Sequence, residues 1–238
     1  MNTRPRQQIL TLIAIALTFG SGAMDVASFT RLGEVFTSVM TGNIVLGGLA
    51  VAQRSVSLAS HTAVSIAGYI AGVAGGTWIV HGFRAAAGEP GDDEGPASVL
   101  PAHVNWALFA ELILLAGLAA GWEVTGGSPA GWAQFCLLAV AAAAMGVQAS
   151  AVNEMGLTNV STTFLTGTLT SLVSSLVVPG KDTPQGLRRF VVLIGLAAGA
   201  GLCGLLVATA ADVVPVLPLA ALITTLVLAS VPGSEECH

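Results

Sequence analysis

Charge is what this chain has least of. Of its 238 residues, 8 are Lys or Arg and 13 are Asp or Glu, so charged residues make up 9% of the sequence, against about 25% in a soluble globular domain. A surface facing water cannot be covered with so few. The net charge of −5 and the absence of any basic run exclude a nucleic-acid partner. Cysteine is equally sparse: Cys136 and Cys203 lie in apolar stretches and Cys237 sits one residue from the end, which is no disulfide framework. There is no CxxC, HExxH or Cys/His cluster, and the spacing of His61, His81 and His103 is not that of metal ligands. Neither a P-loop nor GxSxG is present, which removes an ATP motor and the simple sign of a serine hydrolase. No cofactor and no metal are expected.

What the chain has instead is apolar length. Hydrophobic residues make up 54% of it and the mean hydropathy is +0.82, the composition of an all-α integral membrane protein with the lipid bilayer as solvent. Helical segments are expected near 9–29, 35–52, 58–80, 104–122, 131–152, 160–178, 190–210 and 214–231, most of them within the 17–25 residues that span a core of about 30 Å. The first segment follows Arg4 and Arg6 and ends in Gly-Ser-Gly-Ala like a cleaved signal, but related residues recur later, so it is read as a span. Trp78, Trp106, Trp122 and Trp132 fall near segment ends, where indoles favour the headgroup level. The stretch 82–103, with Glu89, Asp92, Asp93 and Glu94 among Gly and Pro, reads as a solvated loop.

Two topologies satisfy the charge bias equally. Eight full crossings place Arg54 in the cytoplasm and Arg84 outside; six crossings with segments two and six re-entrant reverse both. Either leaves both termini cytoplasmic. Segments two and six each reach about 18 residues, enough to cross, which favours eight.

The chain also repeats itself. Phe36-Thr-Ser-Val-Met-Thr-Gly-Asn43 has a partner in Ser161-Thr-Thr-Phe-Leu-Thr-Gly-Thr168, 125 residues on, and Gly22-Ala-Met-Asp25 stands against Met145-Gly-Val-Gln148. Gly68, Gly72 and Gly76 recur every four residues; Gly195 and Gly199 follow the first two by 127, with Cys203 in the third slot. One membrane domain, residues 1–238, is therefore read as two halves of four segments, about 9–122 and 131–231, joined by Glu123–Ala130. Eight crossings make the repeats parallel and six make them inverted.

The run from Gly22 to Asn43 and its second copy resemble the two signatures of the YoaK-like family, small bacterial inner-membrane proteins grouped as a domain of unknown function. The likeness covers nearly the whole chain. It implies a bacterial plasma-membrane location and about six spans, and it supplies no substrate.

Few residues can carry chemistry. Asp25 near the end of the first segment and Glu111 near the middle of the fourth are the candidate coupling groups, because an ionised carboxylate in hydrocarbon costs about 2.5–3.5 kcal/mol on insertion scales and normally faces a partner or water. Asp25 reads equally as a cap on the turn that follows, and Glu111 also reads as a protonated group or one hydrogen-bonded to a neighbouring helix. Thr41, Gly42 and Asn43 with Thr166, Gly167 and Thr168 are expected to meet about a pseudo-twofold axis, lining a pathway with Asp25 and Gln148 towards its mouth. Gly68, Gly72, Gly76, Gly195 and Gly199 read as packing stripes. Three classes remain: a transporter or channel for a small solute or ion, an intramembrane enzyme, or a non-transporting scaffold or sensor. The paired polar Gly segments favour the first, and a catalytic set is hard to assemble from these residues. No Arg lies inside a segment, which disfavours a strongly anionic solute. Repeat symmetry leaves room for a homo-oligomer.

Overall fold

The computed structural model describes residues 4–87, 100–155 and 183–230, together with Gly167, Leu169, Thr170, Val173, Ser174 and Val177. Among the described residues it is all helix: α1 (Arg4–Arg31), α2 (Met40–Gln53), α3 (Val56–Ala87), α4 (Ala102–Val124), α5 (Trp132–Glu154), α6 (Thr183–Thr209) and α7 (Val216–Ala229), with a 3-10 turn at Ala211–Val213. Six stretches are long and apolar enough to cross a membrane: one in each of α1, α3, α4, α5 and α6, and one formed by the 3-10 turn running into α7 (Ala211–Ala229); α2 has none. The protein is an all-α, multi-pass membrane protein.

The expected eight crossings are corrected at α2. This helix has 14 residues, about 21 Å at 1.5 Å per residue, well short of a core of about 30 Å. The expected segment 35–52 loses its first turn because residues 32–39 are not helical. Gly33 (φ 103°) and Glu34 (φ 60°) both take left-handed backbone, which ends α1 and turns the chain. Most of segment 160–178, expected from the sequence to be the counterpart of α2, lies outside the described residues.

Two helices form the centre. In α1 and α5, 56% and 67% of the spanning stretch is buried, against 22–33% in the other four. They divide the remaining helices crosswise: α1 from the first half packs on α6 and α7, and α5 from the second half packs on α3 and α4. Glycines let the backbones meet. A Cβ on Gly72 would strike the Ala143 carbonyl and one on Gly146 the Tyr69 carbonyl; a Cβ on Gly199 would strike the Phe19 carbonyl and one on Gly22 the Leu196 carbonyl. Gly68 lies against Ala139 and Gly195 against Ile15 in the same way. Each α6 residue in these pairs stands 127 positions after its α3 counterpart, and each α5 residue 124 after its α1 counterpart. Helix association in lipid rests on such close packing.

The contacts also give direction. Along α1, Ile15, Phe19 and Val26 meet Gly195, Gly199 and Gly204, so α1 and α6 run parallel, as do α3 and α5. Arg31 is bonded to Gln134 whereas Ser21 is bonded to Gln148, so α1 and α5 run antiparallel. The C-terminal end of α1, the start of α3, the α4–α5 connection and the α6–α7 connection therefore share one face of the molecule.

Candidate functional site

The chain after α1 turns back along the helix it has just left. Asp25, 7% exposed, lies six residues before the end of α1, about 9 Å along the axis. Its Oδ1 accepts from the backbone N–H groups of Thr37 (2.9 Å) and Ser38 (2.8 Å) and from Thr37 Oγ1 (3.1 Å), and its Oδ2 accepts from Ser38 Oγ at 2.6 Å. Irregular backbone inside a membrane protein needs such partners, and both oxygens are occupied in providing them. Ser28 Oγ adds a bond to the Val35 carbonyl at 2.8 Å.

Asn43, in the first turn of α2, holds the other side of the same loop. Its Oδ1 accepts from Phe36 N at 2.9 Å and its Nδ2 donates to Phe36 O at 2.7 Å and to Ser65 Oγ on α3 at 3.0 Å. Ser65 Oγ in turn donates to Phe36 O at 2.6 Å. Gly42 packs within the loop against Phe36 and Val39, while Thr41 is exposed. The described residues do not bring the two Thr-Gly steps together. Thr166 and Thr168 lie outside them, and Gly167 is exposed with no described atom within 4 Å of where its Cβ would be.

At the centre, Ser21 Oγ on α1 lies 2.7 Å from Gln148 Oε1 on α5 and 3.0 Å from the Leu17 carbonyl. Gln148 stands 124 residues after Met24, the separation that also relates Gly146 to Gly22. Glu111 belongs to the inward stripe of α4 with Val104, Ala107, Leu108, Leu115 and Leu118. It is 0% exposed, and neither carboxyl oxygen has a hydrogen-bond partner among the described residues. Gly121 abuts Leu137 where α4 turns into α5. Ten residues before one is Glu111 and ten after the other is Val147, so Glu111 sits at the level of Val147 and Gln148.

A second polar set closes the face where α1 ends, and it had no sequence signal. Arg31 donates to Ser128 Oγ (3.3 Å) in the α4–α5 connection and to Val207 O (3.1 Å) in the last turn of α6. Gln134 Nε2 donates to Arg31 O at 2.9 Å, and its Oε1 lies 3.1 Å from His61 Nε2. His61 is buried and stacked on Phe135 at 4.2 Å. Trp122 is buried as well. It is 1% exposed, and its Nε1 donates to Ala211 O at 2.8 Å, so it ties α4 to the turn before α7, whereas Trp132 and Trp78 stay exposed.

The family model described as "Protein of unknown function (DUF1275)" matches residues 13–230. The chain belongs to this family. The DUF1275 match takes in both central helices, the α1–α2 loop and Glu111. A relative, the UPF0700 transmembrane protein YoaK of Bacillus subtilis (strain 168), is 30% identical over 171 residues, 72% of this chain and 67% of the relative. No solved structure matches the chain.

Proposed function

We propose that this protein is a small-solute secondary transporter of the bacterial plasma membrane, built from two inverted repeats with the solute pathway between them and Glu111 as its proton-coupling group. The observation that carries this reading is the crosswise packing of α1 on α6 and α7 and of α5 on α3 and α4, with the same 124- and 127-residue offsets relating the three glycine contact pairs of α3 with α5 to the three of α1 with α6. Two antiparallel central helices with equivalent partners are what a pseudo-twofold axis in the membrane plane produces. Such folds bind solute near the midplane, beside helices that do not cross fully, and α2 with its buried entry loop is such a helix.

Two further features support it. Ser21 and Gln148 join α1 to α5 at the depth of Glu111, and a buried membrane carboxyl with no partner among the described residues is a functional-site hypothesis by default. In the six-span topology, Arg4, Arg6, Arg84, Lys181, Arg188 and Arg189 fall on the side of the N-terminus and only Arg31 and Arg54 on the other, a bias that supports cytoplasmic termini. The test is flux of a solute panel into proteoliposomes with and without a pH gradient. Gradient-dependent uptake that Glu111→Gln abolishes is the expected result. Absence of gradient-dependent uptake across the panel favours a non-transporting scaffold.

A further inference from the structure

We infer that Glu111 is the binding carboxyl for a monovalent cation, which competes with a proton for the same two oxygens. This deepens the transport reading and rests on it for the claim that the bound cation is cargo.

The inference starts from what surrounds Glu111. Its oxygens have no donor among the described residues, whereas the other buried carboxyl among them, Asp25, accepts four hydrogen bonds. Among the described residues no counter-charge is near. The nearest titratable side chains of α3 are Tyr69 and His81, seven residues before and five after Gly76, which abuts Val147 at the level of Glu111. Those of α5 are Cys136 and Glu154, towards its two ends, and α7 has none. On α4 itself His103 and Glu123 are each at least eight residues away. All eight Lys and Arg residues of the chain lie near segment ends or in connections.

A bare carboxylate in this setting costs several kcal/mol. A proton removes that cost, and so does a bound cation. A divalent ion is disfavoured because Ca2+ and Mg2+ require roughly six or more oxygens and usually several carboxylates, and among the described residues this carboxyl stands alone. An anion would meet the carboxyl with no basic group to offset it. A monovalent cation is matched in charge by Glu111, with the Ser21 hydroxyl and Gln148 amide at the same depth as neutral oxygens. The exchange balances: the carboxylic acid takes up one cation and releases one proton, so the site's net charge is unchanged. Alternating access to such a site exchanges one cation for one proton without moving net charge.

The experiment reads protons rather than flux. The purified full chain in detergent, in weak buffer with a pH-indicating dye, is titrated separately with sodium, potassium, methylammonium and tetraphenylphosphonium chlorides. At least one of these releases protons saturably, approaching one per chain. Glu111→Gln abolishes the release; Glu111→Asp retains it at a shifted affinity, and Glu123→Gln on the exposed end of α4 leaves it unchanged. Monodisperse elution and helical circular dichroism establish that each variant is folded. No proton release by any of the four salts across about pH 5–9, or equal release from Glu111→Gln, overturns the inference. Uptake of an uncharged or anionic solute without cation-driven release would leave transport standing and remove the cation. Release without flux would do the reverse.

Discussion

Asp25 on α1 and Ser38 in the following loop are joined twice, Ser38 N to Oδ1 at 2.8 Å and Ser38 Oγ to Oδ2 at 2.6 Å. With the two bonds from Thr37, this carboxylate supplies the acceptors that the irregular backbone before α2 lacks. Hydrogen bonds to a charged group contribute about 1.5–3 kcal/mol each in single-partner deletions and are not additive. Asp25→Asn keeps one acceptor oxygen and is expected to lower stability by about 1–3 kcal/mol; Asp25→Ala is expected to cost more and to expose the α1–α2 loop to protease. Thermal unfolding in detergent with limited proteolysis checks this. A variant as stable and as resistant as wild type would mean that these bonds do not hold the loop.

The sequence carried the helices and their glycines because both are local or periodic signals. Apolar runs mark spans, and a four-residue glycine spacing marks a stripe whatever packs on it. The start of α2 was not legible in that way. Phe36 and Val39 are as apolar as the helix that follows, and only the bonds of Asp25 and Asn43 to residues 36–38 show that this stretch leaves the helix. His61, Gln134 and Arg31 were missed for another reason. They are separated by 73 and 103 residues along the chain, so no spacing rule joins them. Glu111 was visible as a carboxyl in an apolar run, but its lack of a partner needed the neighbouring helices.

The glycine contacts give a paired prediction. At Gly72 an added Cβ meets Ala143 backbone carbon atoms at 2.8 Å, and Gly199 stands in the same relation to Phe19. At Gly75 and Gly201 it meets nothing within 4 Å. Overpacking costs about 1–3 kcal/mol, whereas Gly→Ala in a helix interior gains up to about 1 kcal/mol where space is free. Gly72→Ala and Gly199→Ala are expected to lower the unfolding temperature, and Gly75→Ala and Gly201→Ala to hold or raise it. The same direction of change in all four would refute helix contact as the reason for the stripe.

Gly33 and His61 make a coupled pair. Gly33 sits at φ 103° and a Cβ there would enter the His61 ring, which is held between Ser57 O at 2.8 Å and Gln134 Oε1 at 3.1 Å. Gly33→Ala combines a left-handed backbone penalty of about 1–2 kcal/mol with a displaced imidazole. In a His61→Ala background only the backbone part remains. A double-mutant cycle is expected to show coupling of at least about 1 kcal/mol; additive losses would mean that the ring is not what excludes a side chain at position 33.

The last prediction decides the topology. Gln8 near the start of α1 and Arg84 near the end of α3 are exposed, as are Ser57 at the start of α3 and Ala130 between α4 and α5. With six spans and α2 turned back, Gln8 and Arg84 share the cytoplasmic face, and Ser57 and Ala130 share the other. Eight full crossings would put Gln8, Ser57 and Ala130 together and Arg84 opposite. Single cysteines at these four positions, in a chain with Cys136, Cys203 and Cys237 replaced, are labelled in intact cells by a membrane-impermeant maleimide. Ser57→Cys and Ala130→Cys are expected to react from outside, and Gln8→Cys and Arg84→Cys only after the membrane is opened. The physical reason is the length of α2: 14 residues cannot carry Ser57 across a core of about 30 Å. Protection of Ser57→Cys together with Gln8→Cys would mean that the chain crosses where the helix is too short to do so, and the inverted-repeat reading would fall with it.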